Sequence, residues 1–166
     1  MLHAPNESLV LAISLKVAAF AGNVDLVQAL LQQREDRNSY KPYELSDALR
    51  LASEEGRLDV ARLLIDHGAD VEAQYHVRVH FRTYNTALQV ASSRKHLNVV
   101  QLLLDRGAKP QTDTGALTVA ASYGSIDIIR LLIDHGADIK GRDQLGQTAL
   151  QEAAFHGHLE VMQLLL

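Results

Sequence analysis

Residues 125–141 read SIDIIRLLIDHGADIKG, and this wording recurs along the chain. Ile128, Leu131 and Leu132 fall on one face of a helix, being three and four residues apart. Gly136 follows, where a left-handed residue ends a helix. The phrase returns as RLDVARLLIDHGADVEA (57–73), HLNVVQLLLDRGAKP (96–110) and HLEVMQLLL (158–166), with NVDLVQALLQQ (23–33) a worn fifth copy. Gly68 and Gly107 stand where Gly136 does. Before each copy lies a small-residue helix: LKVAAFAG, LRLASEEG, LQVASSRK, LTVAASYG and LQEAAFHG, opened by Leu15, Leu49, Leu88, Leu117 and Leu150. Successive openers are 34, 39, 29 and 33 residues apart. Small residues such as Ala120, Ala121, Ala153 and Ala154 let a neighbouring unit approach closely. One such pair of helices cannot bury both apolar faces alone, so the units must stack.

The last copy, RDQLGQTALQEAAFHGHLEVMQLLL (142–166), resembles the ankyrin repeat: a turn-forming finger, a threonine-led helix start, then paired helices. The resemblance covers nearly the whole chain. It implies an all-α ankyrin-repeat solenoid of about five stacked helix-turn-helix units with β-hairpin fingers. The expected units are 7–33, 43–73, 82–109, 113–141 and 142–166, forming one domain. The family's proline at the first helical turn is replaced by Ala48, Ala87, Ala116 and Ala149, which keep helix propensity but lose a fixed φ. The family's histidine becomes Gln89 or Gln151, still able to hydrogen-bond with Thr86 or Thr148. The TALQ wording beside HLEVMQLLL also looks like ankyrin arrays of large fungal signalling proteins such as NOD-like receptors.

The rest of the composition narrows the function classes. The formal net charge of −4 provides no global basic field for nucleic acid. There is no cysteine, which removes disulfides, thiolate metal sites and cysteine nucleophiles together. Residues 9–21, LVLAISLKVAAFA, imitate a signal core, but the flank carries no positive charge and Lys16 interrupts the run. No stretch approaches the eighteen or so apolar residues of a membrane span. A cytoplasmic or nuclear protein is expected, so the Asn6-Glu7-Ser8 glycosylation spacing goes unused.

YHVRVH (75–80) departs from this grammar. Tyr75, Val77, Val79 and Phe81 alternate with His76, Arg78, His80 and Arg82, the period of a strand. The spacing of 39 exceeds the family's ~33 by about six residues, which lengthens one finger. At ~3.3 Å per residue it would project roughly 10 Å past its neighbours. KPQTDTG (109–115) is correspondingly short and lacks a full finger. One reading makes His76, Arg78, His80 and Arg82 a recognition finger for an acidic partner, with two charges strengthening below about pH 6.5. The others are a lengthened solvated loop, or a basic edge that discourages strand aggregation.

By the family's rule, a partner lies along the concave face, on the fingers and the first-helix ends. Here that row is Phe20 and Ala21, Glu54 and Glu55, Ser93 and Arg94, Ser122 and Tyr123, Phe155 and His156. Arg94, Tyr123 and Phe155 are the expected anchors, with Glu54, Glu55 and His156 beside them. His67 and His135 share a DHGAD context and read as structural; His156 and His158 make a poor metal pair. No metal and no cofactor are expected. No phosphate loop or nucleophile motif is present, so a protein-interaction scaffold is favoured over a groove enzyme or small-molecule binder built on Glu55, Arg94, Tyr123 and His156. The sequence stops in a helix at Leu164–Leu166, where either further repeats or end-to-end self-association would cover the apolar face.

Overall fold

The computed structural model describes residues 7–35, 42–74, 86–111 and 113–166. Among them lie ten helices in five consecutive pairs. They are α1 (Glu7–Ala21) with α2 (Val24–Glu35), α3 (Pro42–Glu54) with α4 (Leu58–Asp66), and α5 (Ala87–Ser93) with α6 (Leu97–Asp105). The fourth and fifth pairs are α7 (Thr114–Ser122) with α8 (Ile126–Asp134), and α9 (Ala149–Phe155) with α10 (Leu159–Leu165). Each helix packs on its pair-mate, and each odd-numbered helix packs closely on the next odd one. The even-numbered helices α2, α4, α6 and α8 form a second, looser row. The chain is thus an all-α solenoid two layers thick.

The repeated residues explain this arrangement. Leu15, Leu49, Leu88 and Leu117 are all buried in the first row. Leu30, Leu64, Leu103 and Leu132 hold one register position in the second and are buried, the last three completely. Each such leucine stabilises the stack by about 1.5–3 kcal/mol. Close approach within the first row depends on one small position, filled by Ala19, Ser53, Ser92 and Ala121, each buried under the following unit. Its fifth member, Ala154, is exposed, and among the described residues no helix lies over it.

Second helices end as their glycines require. Gly68, Gly107 and Gly136 have φ of +91°, +93° and +87°, a region where a side chain is strained. His67 and His135 each donate from Nδ1 to a carbonyl of their own helix, Leu63 and Leu131, at 2.8 Å. Asp70 and Asp138 then turn the chain by accepting the N–H of Glu72 and Lys140 at 2.9 Å. The third unit has Lys109 at that place, and its N–H donates instead to Glu72 of the preceding finger at 3.0 Å.

Where β-hairpin fingers were expected, the described residues contain no strand, only one antiparallel bridge between Arg142 and Thr148. That finger is organised as a turn on one carboxylate: Asp143 Oδ1 accepts from Leu145 and Gln147, both at 2.9 Å. The loop is too short to gain a ladder once the aspartate holds its tip. Helix starts follow the expected chemistry in two units. Thr86 accepts the Gln89 N–H at 3.1 Å, and Thr148 with Gln151 forms a reciprocal capping box.

Candidate functional site

The last turns of α1, α3, α5, α7 and α9 place the candidate row along one edge of the odd-helix layer. Phe20 is half exposed, Tyr123 is 41% exposed and Phe155 is 83% exposed. Ser93 and Ser122 occupy the same register position as Phe20 and Phe155 but are buried, bonding back to the Val90 and Val119 carbonyls. The exposed chemistry of the row is therefore aromatic at both ends. Phe155 and His156 meet edge to face with ring centres 5.1 Å apart, and His156 Nε2 lies 3.5 Å from Glu152.

The centre of the row is charged and internally paired. Glu54 receives Arg50 of its own helix at 3.1 Å and Arg94 of the next unit at 3.0 Å. Arg50 also lies 3.7 Å from Asp47, which Lys16 reaches from the first unit. Lys16, Asp47, Arg50, Glu54 and Arg94 thus run as one chain of alternating charge across three units. The Glu54 carboxylate, accepting from the guanidinium, holds Arg94 protonated above its ordinary range. Sequence reading treated Glu54 and Arg94 as separate candidates; the geometry joins them. Glu55 is half-buried at the helix end. His76, Arg78, His80 and Arg82 lie outside the described residues. Among the described residues no cluster of three or more His, Cys, Asp or Glu side chains is arranged to hold a metal ion.

Two further constellations escaped the sequence reading. The first is Asp113, which accepts from the Thr86 hydroxyl and from Gln89 Nε2 of the preceding unit. Gly115 occupies the place of Thr86 and Thr148 because a Cβ there would stand 2.6 Å from Gln89 Nε2. Burial raises the Asp113 carboxyl above the usual aspartate range, opposed by its bonds from Thr86, Gln89 and the first-turn amides of α7.

The second is a set of bonds between units. Arg57 Nε donates to the Phe20 carbonyl at 3.2 Å, His96 Nε2 to Glu54 at 3.0 Å, and His158 Nε2 to Ser122 at 3.0 Å. Each donor stands just before a second helix and lies over a glycine of the preceding unit. A Cβ on Gly22, Gly56 or Gly124 would fall 2.6–2.7 Å from these side chains. The fourth unit breaks the series: the donor position is Ser125, and the underlying residue is Lys95. A periodic comparison of residues 22, 56, 95 and 124 with 57, 96, 125 and 158 carries this signal in the sequence.

A family model described as ankyrin repeats in three copies matches residues 15–114, and one for ankyrin repeats in many copies matches residues 117–166. The chain belongs to the ankyrin-repeat family. Such repeats are generally protein–protein interaction modules and typically have no catalytic activity. A search of the curated proteins gave no match. Among the described residues, no helix is long and apolar enough to cross a membrane.

Proposed function

We propose that this chain is a non-catalytic module that binds a protein partner along the concave first-helix row and the finger edge. The observation that carries this reading is the pair of exposed aromatic rings, Tyr123 and Phe155, on neighbouring turns of a rigid helix layer. Rigid aromatics supply contact area at little entropic cost, which is why they anchor interfaces. Arg94, already fixed by Glu54, presents its remaining guanidinium surface beside Tyr123, with Glu55 and His156 on either flank. The row is an open edge of a layer, which excludes water poorly and so favours contact over chemistry. Basic His76, Arg78, His80 and Arg82 suit an acidic region of the same partner. The exposed apolar end, with Leu159 at 70% and Leu166 at 91%, suits end-to-end association of two copies.

The test compares proteins retained from lysate by the chain, by a variant with His76, Arg78, His80 and Arg82 all changed to serine, and by Tyr123→Ala/Phe155→Ala. A single protein retained by the chain and lost with the aromatic variant is expected, with helicity unchanged by circular dichroism. Retention that ignores both variants contradicts the reading. Light scattering over a concentration series checks the end-to-end contact; a monomer at every concentration rules it out.

A further inference from the structure

The two outer faces of the stack carry residues of interior type. On the second helices, Val60, Val99, Ile128 and Val161 hold one register position and are almost fully enclosed. Leu26 holds that position in the first unit and is 44% exposed. Val161 is enclosed although no unit follows the fifth among the described residues, so this position packs on the unit before it. The first helices give the same comparison: Val17 is 62% exposed, whereas its counterparts Val90 and Val119 are buried. From Leu9 to Ala21, α1 has only Ser14 and Lys16 as polar residues. A helix apolar all round is one that expects cover on both sides. The internal helix α7, TGALTVAAS, is of the same kind and lies between α5 and α9.

The far face of the fifth unit is the complement. Ala154 is exposed where Ala19, Ser53, Ser92 and Ala121 are buried under the following unit. A Cβ on Gly157 would meet nothing within 4 Å, whereas Gly22, Gly56 and Gly124 each lie beneath a side chain of the next unit. The Phe155 carbonyl holds the place of the Phe20, Glu54 and Ser122 carbonyls that accept those side chains. At the corresponding donor position the first unit has Asn23. Its Oδ1 accepts the Leu26 N–H at 2.9 Å, and its Nδ2 makes no bond among the described residues. Inside the molecule a face of the first kind meets a face of the second kind at all four joints, so each open face fits the other. Neither Val17 and Leu26 nor Ala154, Gly157 and the exposed Leu166 carries a charge, so covering them strands none.

We propose that copies of this chain stack head to tail, the α1–α2 face of one seated on the α9–α10 face of another, so that the solenoid continues across the junction. Two different faces pair, so a joined pair keeps one of each open and takes a third copy. Assembly is therefore open-ended and not a closed dimer. The proposal deepens the end-to-end contact described above and rests on it only in assigning the cover of the fifth unit to another copy. The junction has a consequence for recognition. Phe20 and Phe155 hold one register position, so stacking sets Phe155 of one copy beside Phe20 of the next. Two half-rows then become one continuous aromatic edge running through Tyr123.

The test blocks one face at a time and follows mass by sedimentation over a concentration series. Val17→Asp/Leu26→Asp places charge on the leading face, and Ala154→Arg fills the small position of the trailing face. All three positions are exposed in the single chain, and circular dichroism checks that helicity is kept. The parent's average mass is expected to rise past that of a dimer, and each variant alone to associate at least about ten-fold more weakly. The two variants mixed in equal amounts should form a one-to-one pair and stop there, since each supplies the face the other lacks. A leading-face variant that still dimerises as the parent does would show tail-to-tail pairing, which overturns this proposal and leaves the end-to-end contact standing. A parent that is monomeric at every concentration overturns both, and a mixture that stays monomeric while the parent assembles overturns the head-to-tail register.

Discussion

Asp113 shows how one residue redirects a repeat. Its carboxyl is buried and satisfied by Thr86 and Gln89, yet desolvation still raises its affinity for a proton. The native state therefore binds that proton more tightly than the unfolded chain, whose aspartate titrates near 3.9. Stability from this group is fully present below about pH 3.9 and is lost as pH rises through the higher native value. Asp113→Asn keeps the shape without the charge. The melting temperature of the parent minus that of the variant should fall between about pH 4 and pH 7, and a flat difference would contradict the assignment. Lys95 makes a second residue-scale case. A non-glycine residue in the left-handed region costs about 1–2 kcal/mol, so Lys95→Gly should stabilise the chain by about 1 kcal/mol in urea unfolding. Unchanged or lower stability would mean that the Lys95 stem packs on its neighbours more than its exposure indicates.

At the scale of helices, the period of the leucines and the glycine stops was legible because one residue type does one job in every copy. Leu49, Leu88 and Leu117 needed no neighbour to be read as core. What was not legible depends on two residues from different units acting together. Glu54 and Arg94 looked like separate surface charges, since nothing local says that 40 residues of chain bring them within 3.0 Å. Gly124 was read only as the end of a small-residue helix and His158 as half of a poor metal pair with His156, whereas they form one joint. The β-hairpin fingers were expected by resemblance, but hydrogen bonds to Asp143 already satisfy the one described across 142–148. The joints make their own prediction. Gly124 and Gly157 have similar φ, +68° and +74°, but a Cβ meets the His158 ring at 124 and open space at 157. Gly124→Ala should therefore cost about 1–3 kcal/mol more than Gly157→Ala in chemical denaturation. Equal costs would show that backbone conformation alone fixes both glycines.

Across the whole molecule, stability is the sum of unit and joint contributions, as in any one-dimensional stack. Leu103, fully enclosed in the middle unit, should cost about 2–5 kcal/mol when replaced by alanine, while exposed Arg62→Ala stays within about 0.5 kcal/mol. Hydrogen exchange should show the Leu103 lesion weakening protection in both flanking units; loss confined to α5 and α6 would contradict a cooperative stack. The same stack separates two faces, an odd-helix layer that presents Tyr123 and Phe155 and an even-helix layer that presents Arg62 and Arg130. A photo-crosslinking side chain placed singly at 20, 62, 123, 130 and 155 in the source cells tests the binding row most directly. The account predicts one common protein captured from 123 and 155, with none captured from 62 and 130. Capture from 62 and 130 alone would place recognition on the opposite layer and contradict it.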